Sequence, residues 1–377
     1  MSIIDRYLVR QFLRTFAIFF LSFTGLYVVV DTFSNLDDFL AYVEKQGNLV
    51  NVLTEYYGYR SLAFFNVTSG VLALIAAMFT VTGFQRTNEL TALLAAGISK
   101  RRIVKPILIA AVLVGVVAVA NRELVVPRIR NQLERSAQTL ADDAGTSLKP
   151  RYDFRTHVLF GGAKAFVRDQ RIAKPSLRLS GPLAKHGDTL AAAEAYCLPA
   201  SDDHPSGYLL RDVIQPKDLA ARESLELDGE TTLFTPRDHA WLKPNECFLA
   251  SDVTFEHLEG ARGWRQYAST FDLIAGLKNE SLDLGPDVRV AIHSRFVQPL
   301  LDVTLLFLGL PIVLSRENRN VFLAIALCGG IVLGFMLLNV ACQSLGASGW
   351  LPPTIAVWLP LFICVPLAAL LAEPLFE

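Results

Sequence analysis

The sequence predicts an α-helical membrane protein with six transmembrane helices, three on each side of an inserted extracytoplasmic all-β domain of jellyroll-like type. The first observation is composition: 52% of the 377 residues are hydrophobic and 19% are charged. This is too apolar for a soluble protein and too polar for one held wholly in the bilayer. The second is segregation, because apolar runs of about 20 residues, the length that crosses a bilayer, flank one polar block. The runs lie near 12–33, 61–84, 103–120, 296–314, 321–345 and 351–372.

The same segregation divides the chain into three parts. Residues 1–120 hold the first three spans and a short polar helix near 86–98. Residues 121–294 hold a helical stalk, over 121–145, and the β domain. Residues 295–377 hold the last three spans.

The charges of the loops predict the orientation. Basic residues concentrate before span one and in the loops after spans two and four, so the positive-inside rule places these segments and both termini in the cytoplasm. The polar block is then extracytoplasmic. Span one is expected to be an uncleaved anchor, because no small-residue cleavage site follows Val30. The basic residues are Arg6, Arg10, Arg14, Arg86, Lys100, Arg101, Arg102, Lys105, Arg316 and Arg319.

The loop between spans two and three, which we call the island (residues 86–106), predicts a short amphipathic helix. Its apolar positions have the spacing of one helix face, and Glu89, Ala92 and Ala96 form another side where small residues allow close approach. Two interpretations fit this pattern equally: a helix against which a docked ATPase pushes, and a helix lying on lipid headgroups. The apolar positions are Leu90, Leu93, Leu94, Gly97 and Ile98.

The polar block predicts a β sandwich or roll, because short alternating runs are separated by turn residues. Such a domain has edges and an apolar face that a lipid or a partner strand can use, but the spacing alone favours a rigid spacer. Cys197 and Cys247 lie in this block and could form a disulfide, although their spacing carries no signature. The predicted strands cover 157–160, 176–179, 208–214, 231–234, 247–249 and 252–255.

Sequence motifs for catalysis are absent. The chain has no phosphate-binding loop, no nucleophile elbow and no histidines at metal-ligand spacing, and no basic-aromatic patch suggests a nucleic acid. We therefore expect no enzyme activity, cofactor or metal in this chain, and any work on a substrate must draw energy from another polypeptide.

Polar and small residues within the spans are the remaining candidates, because burying a polar group in lipid is costly unless it is paired or lines a cavity. Asp302 in span four either lines a substrate path or bonds between helices, whereas Asn339 in span five is expected to bond between helices. Gly330 and Gly334 form a small-residue face that favours plain helix packing over a moving gate.

Several segments together resemble the LptF/LptG permease family, and the resemblance extends over the whole chain. The opening and the island carry it first, followed by two phrases in the polar block that are similar to the family's paired strands, and then by the proline-containing spans. The segments are Ile4-Asp-Arg-Tyr-Leu8, the island pattern Arg86, Glu89-Leu90, Ala96-Gly97 and Ser99, then Thr189–Ala195, Gly207–Val213, Arg295–Leu300, Leu310–Leu314 and Leu351-Pro-Pro.

The resemblance implies a permease subunit, in the bacterial inner membrane, of the ABC transporter that extracts lipopolysaccharide or a related glycolipid. Its implied partners are a cytoplasmic ABC ATPase dimer, a second LptF/LptG-type permease and a periplasmic jellyroll bridge protein. The island becomes the coupling helix, with Glu89 in the ATPase groove, and spans one and five form the cavity and lateral gate. The implied coupling residues are Arg86, Glu89, Leu90, Leu93 and Gly97, and the implied gate residues are Gly25, Asp31, Gly330 and Gly334.

One region departs from the family pattern. Members carry lysines suited to lipid phosphates at the outer end of span one, whereas this chain has Asp31, Asp37 and Asp38 there. Either Arg60 or the second permease supplies the cations, or the lipid differs. A different class of function, a membrane-anchored sensor or assembly scaffold with a ligand-binding β domain, is the alternative, and it predicts no ATPase partner.

Overall fold

The structure is a computed structural model, and it describes residues 3–40, 48–134, 146–166, 169–201, 204–227, 229–315 and 321–376. Contacts divide the chain into two units. The first contains residues 1–36, 47–133 and 285–377, and the second contains residues 37–46 and 134–284. The long apolar helices belong to the first unit, and the β-strands belong to the second.

Helices of the described chain confirm the predicted spans. Six of them are long and apolar enough to cross a membrane, and each overlaps one predicted run while extending beyond it. The α-helices are α1 Ile3–Ser34, α2 Leu49–Arg86, α3 Glu89–Ala95, α4 Lys100–Ala120, α5 Arg130–Glu134, α6 Phe255–Tyr267, α7 Thr270–Lys278, α8 Pro286–Ser315, α9 Val321–Ala347 and α10 Pro353–Phe376.

Aromatic contacts and a closely packed glycine both contribute to the core of the helical unit. Phe12 and Phe16 of α1 are buried on the side facing α2, and the ring of Phe16 meets the edge of Phe65 at 6.3 Å, a favourable aromatic geometry. At the other contact, a Cβ on Gly309 of α8 would lie 2.5 Å from Leu74 Cδ1 of α2. The absence of a side chain at Gly309 therefore lets α2 and α8 approach closely.

The described part of the predicted stalk is helical but irregular. A π-helical turn, Asn121–Val125, and a 3₁₀ turn, Val126–Ile129, connect α4 to α5. Pro127 explains the irregularity, because a proline cannot donate the hydrogen bond that would continue an α-helix. The remainder of the predicted stalk, residues 135–145, lies outside the described residues.

The second unit contains an antiparallel sheet, which confirms the predicted inserted β domain, and also the helices α6 and α7, which the sequence did not predict. Its described strands follow the order β1-β4-β5-β7-β8-β11-β10-β9, with β2, β3 and β6 forming a branch that joins at β7. The strands are β1 Thr146–Ser147, β2 Arg151–Asp153, β3 Val158–Gly161, β4 Lys164–Phe166, β5 Arg171–Ala173, β6 Ser176–Leu179, β7 Thr189–Leu198, β8 Gly207–Gln215, β9 Leu225–Leu227, β10 Glu230–Phe234 and β11 Cys247–Ala250.

One predicted strand is wrong: residues 251–254 form a loop, and α6 begins at Phe255. Side chains form hydrogen bonds with the backbone groups that a strand would use to pair with its neighbour. The Tyr208 hydroxyl donates to the Val253 carbonyl at 2.7 Å, and the Val253 N–H donates to Ser251 Oγ at 3.2 Å. The predicted strands at 157–160, 176–179, 208–214, 231–234 and 247–249 all have counterparts in the sheet.

The register of the sheet accounts for the free cysteines. Cys197 and Cys247 are both free thiols, and they lie on β7 and β11, which both pair with β8. Two strands separated by a third are about 10 Å apart, whereas a disulfide needs Cα atoms within about 7 Å. The two residues therefore do not form the disulfide that the sequence left open.

Candidate functional site

The island folds as a single short helix with a defined end. After α3, Gly97 adopts φ +79°, its N–H donates to the Leu94 carbonyl at 2.9 Å, and the Ile98 N–H donates to the Leu93 carbonyl at 3.1 Å. This pair of bonds is a Schellman motif, which needs a residue in the left-handed region and favours glycine there. Gly97 therefore ends the helix.

The two sides of α3 differ in burial as the apolar spacing predicts, with two exceptions: Leu94, and the exposed Gly97 that follows the helix. Leu90 is 7% exposed within the core of the helical unit, and Leu93 and Ile98 pack against that core. Leu94, which the spacing places on the same face, is instead 37% exposed. Leu94 therefore lies on the exposed side of the helix together with four small residues, Thr91, Ala92, Ala95 and Ala96.

Glu89 at the start of α3 is tied to span one. The Tyr7 hydroxyl of α1 donates to Glu89 Oε2 at 3.0 Å, and the Thr87 hydroxyl donates to Glu89 Oε1 at 3.0 Å. The Tyr7 ring lies 5.7 Å from Phe84 of α2. Arg86, the last residue of α2, is exposed beside this contact. The sequence indicated Glu89 but not Tyr7, because the two residues are far apart along the chain.

Spans one and five are the least packed spans of the described chain. Only 6% of the most apolar window of α1 and 17% of that of α9 are buried, against 33% to 61% in the other four spans. Gly25, Gly330 and Gly334 lie on these spans, and a Cβ on any of them would have no atom within 4 Å. The small-residue face of α9 thus packs against nothing in the described chain.

The C-terminal end of span one carries a cluster of polar and aromatic groups. Asp31 Oδ2 accepts from the Tyr57 hydroxyl at 2.9 Å, and the Thr32 hydroxyl donates to the same tyrosine at 3.0 Å. The Arg60 guanidinium lies 4.2 Å from the centre of the Tyr56 ring, a cation–π distance. The carboxylate of Asp31 is therefore already bonded within the chain, with the arginine close by.

Asp302 occupies a space that a glycine provides. Gln298 Nε2, one turn earlier in α8, donates to Asp302 Oδ1 at 2.8 Å. A Cβ on Gly70 of α2 would lie 2.3 Å from the same oxygen, so only glycine accommodates the carboxylate. By contrast, Asn339 accepts from Gln343 of its own helix at 3.0 Å, which differs from the bond between helices that we expected.

A partly buried ionic cluster lies where span three ends and span four begins, and the sequence patterns did not single it out. Arg122 Nε lies 3.2 Å from Glu123 Oε1, and Arg295 Nη1 lies 3.9 Å from the same oxygen. Arg122 also donates to the Arg295 carbonyl at 3.0 Å, and Asn121 donates to the Leu62 carbonyl at 2.8 Å. The sequence feature that could have predicted this cluster is the presence of charged residues directly at the ends of two spans.

The described residues contain no group of three or more His, Cys, Asp or Glu side chains that could hold a metal ion.

The family model described as "Lipopolysaccharide export system permease LptF/LptG" matches residues 6–176 and 210–373. The match includes all six spans, the island and most of the β domain. A comparison with curated proteins gave no match. The multi-pass helical architecture, the inserted β domain and this match agree, and the chain belongs to the LptF/LptG family of lipopolysaccharide export permeases.

Proposed function

We propose that this chain is the permease subunit of an inner-membrane ABC transporter that extracts lipopolysaccharide, or a related glycolipid, and passes it to a periplasmic bridge protein. The observation that carries the proposal is the island helix α3. It is buried along one side in the core of the helical unit and exposed along the other, and its first residue is bonded to span one.

In this proposal the exposed side of α3 docks into a groove of the cytoplasmic ABC ATPase dimer. Ala92, Ala95 and Ala96 allow a close approach, and Leu94 adds an apolar contact. The resemblance places Glu89 in the ATPase groove, and we assign Arg86 to the same contact. Leu90, Leu93 and Gly97 would hold the helix in place.

Movement of the docked ATPase would pass to the spans through rigid contacts. Leu90 packs in the core that α1, α2 and α4 share, and the bond between Tyr7 and Glu89 joins α3 directly to α1. A push on α3 therefore acts on span one without an intervening flexible loop. This is a rigid-body coupling of the kind that links distant sites through packed helices.

The exposed faces of spans one and five are proposed as the cavity and lateral gate, formed against a second LptF/LptG-type permease. Gly25 on α1 and Gly330 and Gly334 on α9 leave open backbone there, which lets a second helix or a lipid chain approach closely. Lipopolysaccharide would enter between these faces. Asp31 belongs to the same outer end, where either Arg60 or the second permease would supply the cations for lipid phosphates.

The β domain is proposed to lie in the periplasm and to hand the lipid onward. Among the described strands, β1 and β9 stand at the two ends of the main strand order. An open edge can pair with a strand from another protein. The periplasmic jellyroll bridge protein would extend the sheet at such an edge, and both chain termini would lie in the cytoplasm.

The test combines purification with one charge reversal. Tagged protein is isolated in mild detergent, and the proteins and lipids that accompany it are identified by mass spectrometry. We expect an ABC ATPase, a second permease and lipopolysaccharide with the wild type. Glu89→Lys should abolish export and ATPase recovery while the protein remains folded, because it reverses the charge at the docking contact.

Glu280→Lys is the matched control, since Glu280 is exposed in the second unit and its reversal should leave export unchanged. Tyr7→Phe separates docking from positioning. It should retain the ATPase but weaken export several-fold, because it removes only the bond to span one. Recovery of the chain alone, with ordinary phospholipid, would refute the transporter and favour the sensor or scaffold.

A further inference from the structure

The inner end of span one carries three arginines on one exposed side of the helix. Arg6, Arg10 and Arg14 follow each other at four-residue intervals, and residues four apart are neighbours on a helix surface. Together with Val9 and Leu13 they line a shallow open groove. We call these residues the α1 stripe. The stripe is roughly 12 Å long, as the helical rise dictates.

The guanidinium groups of the α1 stripe are available to a ligand. Within the described residues, no hydrogen bond or ion pair engages Arg6, Arg10 or Arg14, and all three are exposed. The opposite side of the same helix packs in the core, where Leu8 and Phe12 are 0% exposed. The helix thus turns its cations away from the core.

Apolar side chains continue the stripe toward the middle of the bilayer. Ala17 and Leu21 follow Arg14 at intervals of three and then four residues, which keeps them near the same side of the helix, and Leu21 is 67% exposed. This places an exposed apolar surface about 10 Å beyond the last arginine along the helix. A cationic segment joined to an apolar segment matches a phospholipid, whose headgroup is anionic and whose chains are apolar. An acidic surface of a soluble protein would match only the first segment.

We propose that the α1 stripe is a binding site for anionic phospholipid of the cytoplasmic leaflet. The guanidinium groups pair with the headgroup phosphate, a geometry in which arginine forms two parallel hydrogen bonds, and the acyl chains lie along Leu13, Ala17 and Leu21. The site is on the inner end of span one and is separate from the outer end, where the exported lipid would be held. It requires the cytoplasmic orientation of the N-terminus but not a docked ATPase.

The test measures lipid retention by the delipidated full-length protein in native mass spectrometry. Phosphatidylglycerol and phosphatidylcholine with the same acyl chains are added separately. Each arginine beside the bound anionic headgroup contributes about a five-fold gain in affinity, the gain expected of a basic residue close to anionic lipid. The triple variant Arg6→Gln/Arg10→Gln/Arg14→Gln should therefore lose on the order of a hundred-fold in phosphatidylglycerol affinity. Phosphatidylcholine retention should not change.

Two variants and one competitor make the result specific. Arg10→Lys keeps the charge and should keep most of the preference, whereas Arg102→Gln/Lys105→Gln removes two exposed cations from α4 and should have little effect. Glycerol 1-phosphate should not displace the lipid, because it lacks the chains.

Equal retention of both lipids by the wild type would overturn the proposal, as would an equal loss in the α4 variant or displacement by glycerol phosphate. Loss of a co-purifying protein from the triple variant with unchanged lipid retention would overturn it as well, and would identify the stripe as a protein-docking surface. Recovery of the ATPase is scored separately, so a failed coupling helix and a failed lipid site are distinguishable.

Discussion

The pairing of Gly70 with Asp302 leads to a quantitative prediction. Replacing Gly70 by alanine places a methyl group 2.3 Å from Asp302 Oδ1, so the carboxylate must retreat by about 1 Å to reach an ordinary contact distance. Because Asp302 sits between two packed helices, this retreat breaks or stretches its 2.8 Å bond from Gln298.

The cost has two parts. Overpacking a well-packed interior costs about 1–3 kcal/mol, and weakening a hydrogen bond to a charged group costs up to about 3 kcal/mol. We expect Gly70→Ala to lower the free energy of unfolding by about 2–4 kcal/mol, measured by unfolding titration of the purified protein in mixed micelles. Gly115→Ala is the control, because a Cβ there meets no atom within 4 Å.

A double-mutant cycle gives the decisive comparison. Asp302→Ala vacates the space that the new methyl group would enter, so Gly70→Ala should cost about 1–3 kcal/mol less in the Asp302→Ala background than in the wild type. If the two substitutions are additive, or if Gly70→Ala is as harmless as Gly115→Ala, the steric argument is wrong.

Two further predictions concern the end of the island helix and one carboxylate of the β domain. Gly97→Ala should reduce the hydrogen-exchange protection of residues 89–98 by about 5- to 30-fold, because an alanine at φ +79° costs about 1–2 kcal/mol. Gly83→Ala is the control, because a Cβ at Gly83 also meets open space. Equal protection in the two variants would contradict the assignment of Gly97 as the helix end. Tyr196 and Arg171 bond to Glu194 and lower its pKa, so its contribution to stability is present above the ordinary glutamate pKa of about 4.3 and is lost as pH falls below it. Glu194→Gln should therefore flatten the fall in melting temperature between about pH 5 and pH 3, whereas Glu226→Gln on β9 should retain that fall. An unchanged pH profile in Glu194→Gln would show that the Glu194 carboxylate does not cause the loss of stability in acid.

The sequence predicted best those features that depend on local composition. Spans follow from the length of apolar runs, and the island helix follows from the spacing of Leu90 and Leu93. The spacing misplaced Leu94, which lies at the boundary of the apolar face and is exposed. The β-strands with alternating burial, such as Val158–Gly161, were also correctly predicted.

Features that depend on residues distant in the chain were missed. Residues 252–255 have the composition of a strand, but Tyr208 and Ser251 take the backbone groups of that segment. The partners Tyr7 for Glu89, Gly70 for Asp302 and Arg295 for Glu123 each come from another helix. No local pattern specifies such pairs, because they arise only when the helices pack. The open question about the cysteines was likewise decided by strand order.

The π-helical turn Asn121–Val125 rotates the side chains that follow it around the helix axis, relative to those that precede it. A turn of this kind accommodates one extra residue, and one residue corresponds to a rotation of about 100° around a helix axis. Arg122 and Glu123 face inward toward Arg295 within that shifted segment. Removing one residue from the turn would therefore leave span three intact but rotate every side chain that follows it, redirecting Val126 and Leu133, which are now buried, toward a different side of the helix.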